Sequence, residues 1–361
     1  MNKELAYWVA TSAIGGVGTA TFNYLLKHFK TLKKFWQVSD EKIRKLKLDT
    51  KTRESICEFR NKVDPKVYLE TVYERGIKVV SVVDRTYPAN LRQISDTPAV
   101  LYYKGSLVPS DDLAIAVVGS RYPTIYGRQV TERLVSSLVM SGLVVVSGLA
   151  RGIDSIAHRA ALDAGGRTIA VLGSGVDLIY PPENKSLAEE VVENGAIVSE
   201  FPLGFPSVPA NFPARNRIIS GLSLGVLVTE AASDSGSLIT AGQAAEQGRE
   251  VFAVPGPINS KMSDGANQLI KEGVHPITSA DDIFKVLDIE RKQIQIKSKQ
   301  VDKSKLSSEE KKILSILDSQ SKHIDKIVRE TGIKIDKASS TLSLMELKGL
   351  VKNYGSGVWG V

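Results

Sequence analysis

Glycine and serine recur together at several points of this 361-residue chain, each time soon after a short apolar run and in two cases with an arginine among them. The segments are Gly119-Ser120-Arg121, SGLARGID (Ser147 to Asp154), GSGVD (Gly173 to Asp177) and, after Glu230, SDSGSLIT (Ser233 to Thr240). Small residues let a backbone approach a ligand closely and leave amide N–H groups free where the next helix starts, which is the chemistry of an anion site. The residues this nominates are Gly119, Ser120 and Arg121, then Gly148, Arg151 and Gly152, then Ser235, Gly236, Ser237 and Thr240. A further segment, PANFPARNRIISGLS (Pro209 to Ser223), sets Phe212, Arg215, Asn216 and Arg217 just ahead of a buried helix. An aromatic beside arginines suits single-stranded nucleic acid: a base stacked on a ring contributes about 1–3 kcal/mol, and each phosphate contact adds salt-dependent affinity.

Other chemistries lack their residues. No GxxxxGK[ST] occurs, so nothing indicates ATP hydrolysis, and GSGVD carries GxG without the rest of a dinucleotide fingerprint. His28, His158, His275 and His323 are scattered, with neither CxxC nor HExxH, so no metal and no cofactor is expected. The expectation is a binding protein and not an enzyme. The rival reading is a nucleotide-acting hydrolase in which Glu230 is the general base and arginines grip phosphate.

The elements that must position these loops follow from the apolar pattern. LAIAVVG, LVVVSG, TIAVLG, AIVSE, GVLVTE and EVFAVPG alternate with helix-length segments from Leu113 onward, the signature of a doubly wound, Rossmann-like parallel α/β sheet. Ligands of such sheets bind beyond the carboxyl ends of the strands, where the nominated loops lie. Residues 1–105 read as a helical N-terminal domain with a connecting segment, including IGGVG (Ile14 to Gly18) and a short strand in IKVVSV (Ile77 to Val82). Residues 106–287 form the core and 288–305 a Lys-, Gln- and Ser-rich linker. Residues 306–361, three amphipathic segments and a glycine-turned hairpin, read as a winged helix.

Net charge is +7, but it is unevenly spread: residues 1–105 carry 19 Lys and Arg against 11 Asp and Glu, 106–283 carry 12 against 19, and 284–361 carry 16 against 10. Nine of the 12 cations in the acidic middle are arginine, whose planar fork suits phosphate and base stacking. The single cysteine, Cys57, the absence of a secretory leader in MNKELAYWVA and the lack of any membrane-length apolar run lead to the expectation of a cytoplasmic protein.

Taken in order, GSR, SGLARGIDSIAH, GSGVDLIYPPEN, SEFPLG, NFPARNRIISGLSLGVLVTEA, SGSLITA and AAEQGREVFAVPG closely resemble the DNA-processing protein A, or Smf, family. That resemblance implies a protein that binds and shields incoming single-stranded DNA in natural transformation and homologous recombination. It also implies loading of the RecA recombinase, commonly by a homodimer. By matching positions it implies that Arg121, Phe212, Arg215 and Arg217 line the DNA pocket, with Arg121→Ala and Arg217→Ala expected to weaken binding without lowering the melting temperature. The family fold in turn resembles that of lysine-decarboxylase-like phosphoribohydrolases, whose PGGxGTxxE loop is replaced here by SDSGSLITA. IGGVG resembles a helix-hairpin-helix or SAM-like element, in which hairpin amides contact phosphate or the glycines merely connect helices. The winged helix would serve either as a duplex reader or as a protein contact.

Overall fold

Six runs of strand-forming residues, each bounded by glycine or a polar turn, lie side by side in the computed structural model, which describes residues 4–289, 306–317, 321–347, 350–355 and 357–360. They are β3 (Ala114–Val118), β4 (Val144–Ser147), β5 (Thr168–Val171), β6 (Gly195–Ser199), β7 (Gly225–Val228) and β8 (Glu250–Ala253). All pair in parallel, and the short β9 (His275–Pro276) continues the series. Apart from the edge residue Glu250 every residue of these six strands is buried, as expected when helices cover both faces.

Two further strands belong to the same sheet. β1 (Lys78–Ser81) and β2 (Val100–Gly105) come from the segment grouped with the N-terminal helices on sequence, and β2 pairs antiparallel with β6. The sheet order is β1-β2-β6-β5-β4-β3-β7-β8-β9. The chain therefore winds outward from β3 to β6 and returns to β7 on the other side of β3. The winding direction reverses between β3 and β7, where a ligand crevice opens at the carboxyl ends.

Side chains alternate between two cores. Val118, Val146, Val171 and Val228 pack under the Asn211–Gly221 and Gly236–Glu246 helices. Val117, Val145 and Leu227 pack under the Ile125–Met140 and Ile153–Asp163 helices. At the β2–β6 end the second face continues into the N-terminal helices, where Phe22, Leu25, Phe35 and Ile56 share one cluster with Tyr102 and Ile197. Residues 1–294 accordingly form one unit and 295–361 a second.

The second unit has the winged-helix elements expected of it: helices Ser308–Leu317, Ile324–Thr331 and Ile335–Leu347, with strands β10 (Lys322–His323), β11 (Lys352–Gly355) and β12 (Val358–Gly360) in the order β10-β12-β11. Ile313, Ile327, Leu342 and Trp359 fill its core. The proposed linker, Asp288 and Ile289 excepted, lies outside the described residues.

Candidate nucleic-acid interface

A cavity of about 530 Å³ occupies the crevice between β3 and β7. The β3 loop brings Gly119, Ser120 and Arg121 to it, and the start of the Gly236–Glu246 helix brings Ser235, Gly236, Ser237 and Thr240. Phe212, Arg215 and Asn216 enter from the helix between. Ten of the fourteen nominated residues thus converge. Gly148 and Arg151 line a smaller recess of about 30 Å³, which shares Arg121, Phe212 and Arg215 with the main cavity.

The helix carrying Phe212 starts earlier than the sequence suggested, at Asn211, so Phe212, Arg215 and Arg217 all lie on it. At about 100° per residue, positions 215 and 217 face nearly opposite ways. Arg215 points into the site. Arg217 points away and pairs with Asp96 at 3.0 Å and with Glu200, outside both cavities. Burial pushes the Glu200 carboxyl up despite that neighbour.

Arg215 is only 5% exposed. Its Nη1 donates to the carbonyls of Gly148 at 2.5 Å and Val171 at 2.6 Å, and its Nε donates to Asn216 Oδ1 at 3.0 Å. Burial lowers its pKa to about 10; Asp154 opposes that shift, and nearby Arg121 adds to it. The guanidinium is still charged at neutral pH, a cation held beside an open cavity by partners that are mostly neutral. Its own carbon lies 5.7 Å from the Phe212 ring centre, and that of the exposed Arg121 lies 5.4 Å away, a cation–π arrangement.

Backbone geometry holds the two loops together. Gly152, at φ +76°, passes so near the Ser120 and Arg121 backbone that a Cβ would collide with it, and the Ile153 N–H donates to the Ser120 carbonyl at 3.0 Å. Leu149 also takes a positive φ, 58°. Asn184 donates from Nδ2 to the Leu149 carbonyl at 2.8 Å, and Asp154 accepts from the Gly148 amide at 3.1 Å. Burial raises the Asp154 carboxyl, with Arg215 opposing. Arg151 is exposed and paired with Glu183.

Glu230 lies at the end of β7, yet its side chain is not among the cavity linings. Its carboxylate accepts the Thr124 amide at 2.7 Å and the Thr124 hydroxyl at 2.5 Å, and its carbonyl accepts the Ser120 N–H at 2.7 Å. It ties the β3 loop to β7 and fixes the start of the Ile125–Met140 helix. Among the described residues no group of three His, Cys, Asp or Glu side chains could hold a metal, and no helix is long and apolar enough to cross a membrane.

Sequence reasoning missed two aromatics. Tyr122, 77% exposed, lines the main cavity, and Tyr180, 48% exposed, lines the recess with its ring 6.2 Å from Phe212. Tyr122 was signalled by its place directly after Arg121; Tyr180 has no local signal, because only the folding of the YPPEN turn back to Phe212 makes it part of the site. The Ile14–Gly18 hairpin lies elsewhere, with Gly16 packed on Thr52.

Residues 78–288 match the family model for DNA recombination-mediator protein A, and residues 297–355 match the DprA winged helix domain. The chain is 36% identical to Protein Smf of Synechocystis over 97% of each protein. It is 44% identical to the DNA processing protein DprA of Bacillus subtilis over 66% of this chain and 84% of that one. Among solved structures, DprA of Streptococcus pneumoniae superposes with a TM-score of 0.67 at 36% identity, covering 81% of this chain and 99% of the other. DNA processing protein A of Helicobacter pylori, described for its single-stranded DNA binding mode, gives 0.54 at 32% identity, covering 59% and 97%.

Proposed function

Because the chain belongs to the DNA recombination-mediator protein A family, we propose that it binds single-stranded DNA in the β3–β7 crevice and presents it for recombination. Gly119, Ser120, Arg121 and the Ser235–Thr240 helix start receive the backbone from two sides, and Arg151 with Gly148 and Gly152 extends the contact along the recess. Phe212, beneath Arg121 and Arg215, offers a base its face or edge. The observation that carries the reading is Arg215, a buried cation fixed on two main-chain carbonyls in the lining of the cavity of an otherwise net-acidic domain. Such a charge gains most from an anion that arrives with its own counterions to release. The H. pylori relative, which is described as binding single-stranded DNA, supports the same use.

The rival reading needs Glu230 as its base, but both Glu230 oxygens accept from Thr124 and the side chain is not among the cavity linings. The protein acts by binding, without turnover. It shields incoming strands in the cytoplasm during natural transformation and recombination and, as a homodimer, loads RecA onto them; family membership is the support for these last roles. In a gel-shift series at two salt concentrations, single-stranded DNA binds more tightly than blunt duplex and loses affinity steeply with salt. Equal or better binding of duplex would overturn the reading, as would base release from nucleoside monophosphates that Glu230→Gln abolishes.

A further inference from the structure

Thr19 to Arg53 carries ten lysines and arginines against three acidic residues. Those three are already used: Glu41 pairs with Lys45 at 2.6 Å, Asp40 accepts from Asn61 at 2.9 Å, and Asp49 caps the Thr50–Lys62 helix through the Thr52 amide at 2.9 Å. Lys27, Lys47 and Lys51 are exposed and make no side-chain hydrogen bond or ion pair with the described residues. The folding of this segment draws its cations together. The Tyr24 hydroxyl accepts the Lys47 N–H at 3.2 Å, so Lys47 sits beside the helix turn that carries Tyr24 and Lys27. Arg53 donates to the Arg44 carbonyl at 2.7 Å, which ties the end of the Asp40–Arg44 helix, three residues before Lys47, to the helix bearing Lys51.

We propose that this face, centred on Lys27, Arg44, Lys47, Lys51 and Arg53, is a second contact for the phosphodiester backbone of the polynucleotide held in the crevice. The proposal rests on the reading of the crevice as a DNA site. Lysines outnumber arginines here, and a lysine ammonium meets phosphate as a point charge without reading geometry. Among the described residues none of the exposed large apolar side chains falls before Val67, so the face offers no wedge for lipid. It suits a backbone and nothing that must be buried. Its position also separates it from the crevice. The helices pack at the β2–β6 end, and β2 is four strand spacings, about 19 Å, from β3. Only a strand longer than the crevice itself reaches both.

The test uses the full-length chain, a triple variant Lys27→Ala, Lys47→Ala, Lys51→Ala, its Lys→Arg counterpart, and Arg121→Ala. Probes are an oligonucleotide of about 6 nucleotides, a single strand several times longer, and the short strand flanked by duplex. The triple alanine variant is expected to bind the short strand as the parent does and to lose about tenfold in affinity for a longer probe, with the salt slope shallower by about 2; the arginine variant keeps parental binding. Loss on the long single strand assigns the face to that strand, and loss confined to the flanked probe assigns it to duplex. Parental affinity for both longer probes, or an equal loss on the short one, overturns the proposal. Failure of Arg121→Ala to weaken the short strand instead sinks the crevice reading.

Discussion

Arg215 Nη1 donates to the Gly148 carbonyl at 2.5 Å, and the guanidinium fills the space that a Cβ on residue 148 would need. The glycine is therefore required by a side chain 67 positions later, and the cation at the cavity floor exists in this pose because residue 148 has none. Gly148→Ala is expected to displace Arg215. The cost is about 1–3 kcal/mol of stability from overpacking, together with a marked loss of single-strand affinity. Thermal melting and a binding isotherm on the same preparation check both; an unchanged affinity would show that the Arg215 pose is irrelevant to the ligand.

Arg121 is exposed, and its guanidinium carbon lies over Phe212. Removing an exposed side chain of this kind leaves stability within about 0.5 kcal/mol. Arg121→Ala is expected to bind single-stranded DNA about tenfold more weakly with an unchanged melting temperature, and its salt slope is expected to fall by about 0.7 for the lost phosphate contact. A drop in melting temperature matching the loss of binding would count against a direct role.

For Arg217 the structure changes the expectation set by the motif. Its guanidinium lies between Asp96 and Glu200 with side-chain exposure of 10%, and Glu200 is nearly as enclosed. Arg217→Ala leaves the Glu200 charge buried without its partner, which costs about 3–5 kcal/mol. The variant is expected to unfold at lower urea concentration, and Glu200→Gln in the same background to restore part of the loss. Weak DNA binding by a variant of parental stability would return Arg217 to the interface.

The difference between Arg215 and Arg217 also marks how far the sequence could be read. All six strands from β3 to β8 were legible, because fully buried runs such as AIAVV and GVLV have no other use in a chain of this composition, and the ligand edge followed from topology. The face of the helix was not legible. The helix begins at Asn211, ahead of the arginines, with Pro213 in its first turn, where the missing N–H has no partner to lose, and its two faces set which arginine meets the cavity. β2 was missed because VLYYKG pairs with β6, far along the chain, and no local residue signals that partner.

His158 gives the fold a pH dependence with a definite sign. It is fully buried between β5 and its helix, and burial lowers its pKa to about 3, with Arg215 adding to the shift. The Thr168 hydroxyl donates to the Val145 carbonyl at 2.9 Å, so it accepts from His158 Nδ1–H at 2.7 Å, which leaves the ring neutral with Nε2 bare and without a partner among the described residues. A proton added there would have no acceptor. A depressed folded pKa means that the unfolded chain binds more protons between about pH 3 and 6.5, so stability is full above that window and falls as pH drops through it. From pH 7 to pH 5 this one group removes about 2 kcal/mol. His158→Gln keeps a donor for Thr168 and no longer titrates. Urea unfolding at the two pH values is expected to show the parent losing about 2 kcal/mol more than the variant, whereas equal losses would mean that His158 is protonated in the native state.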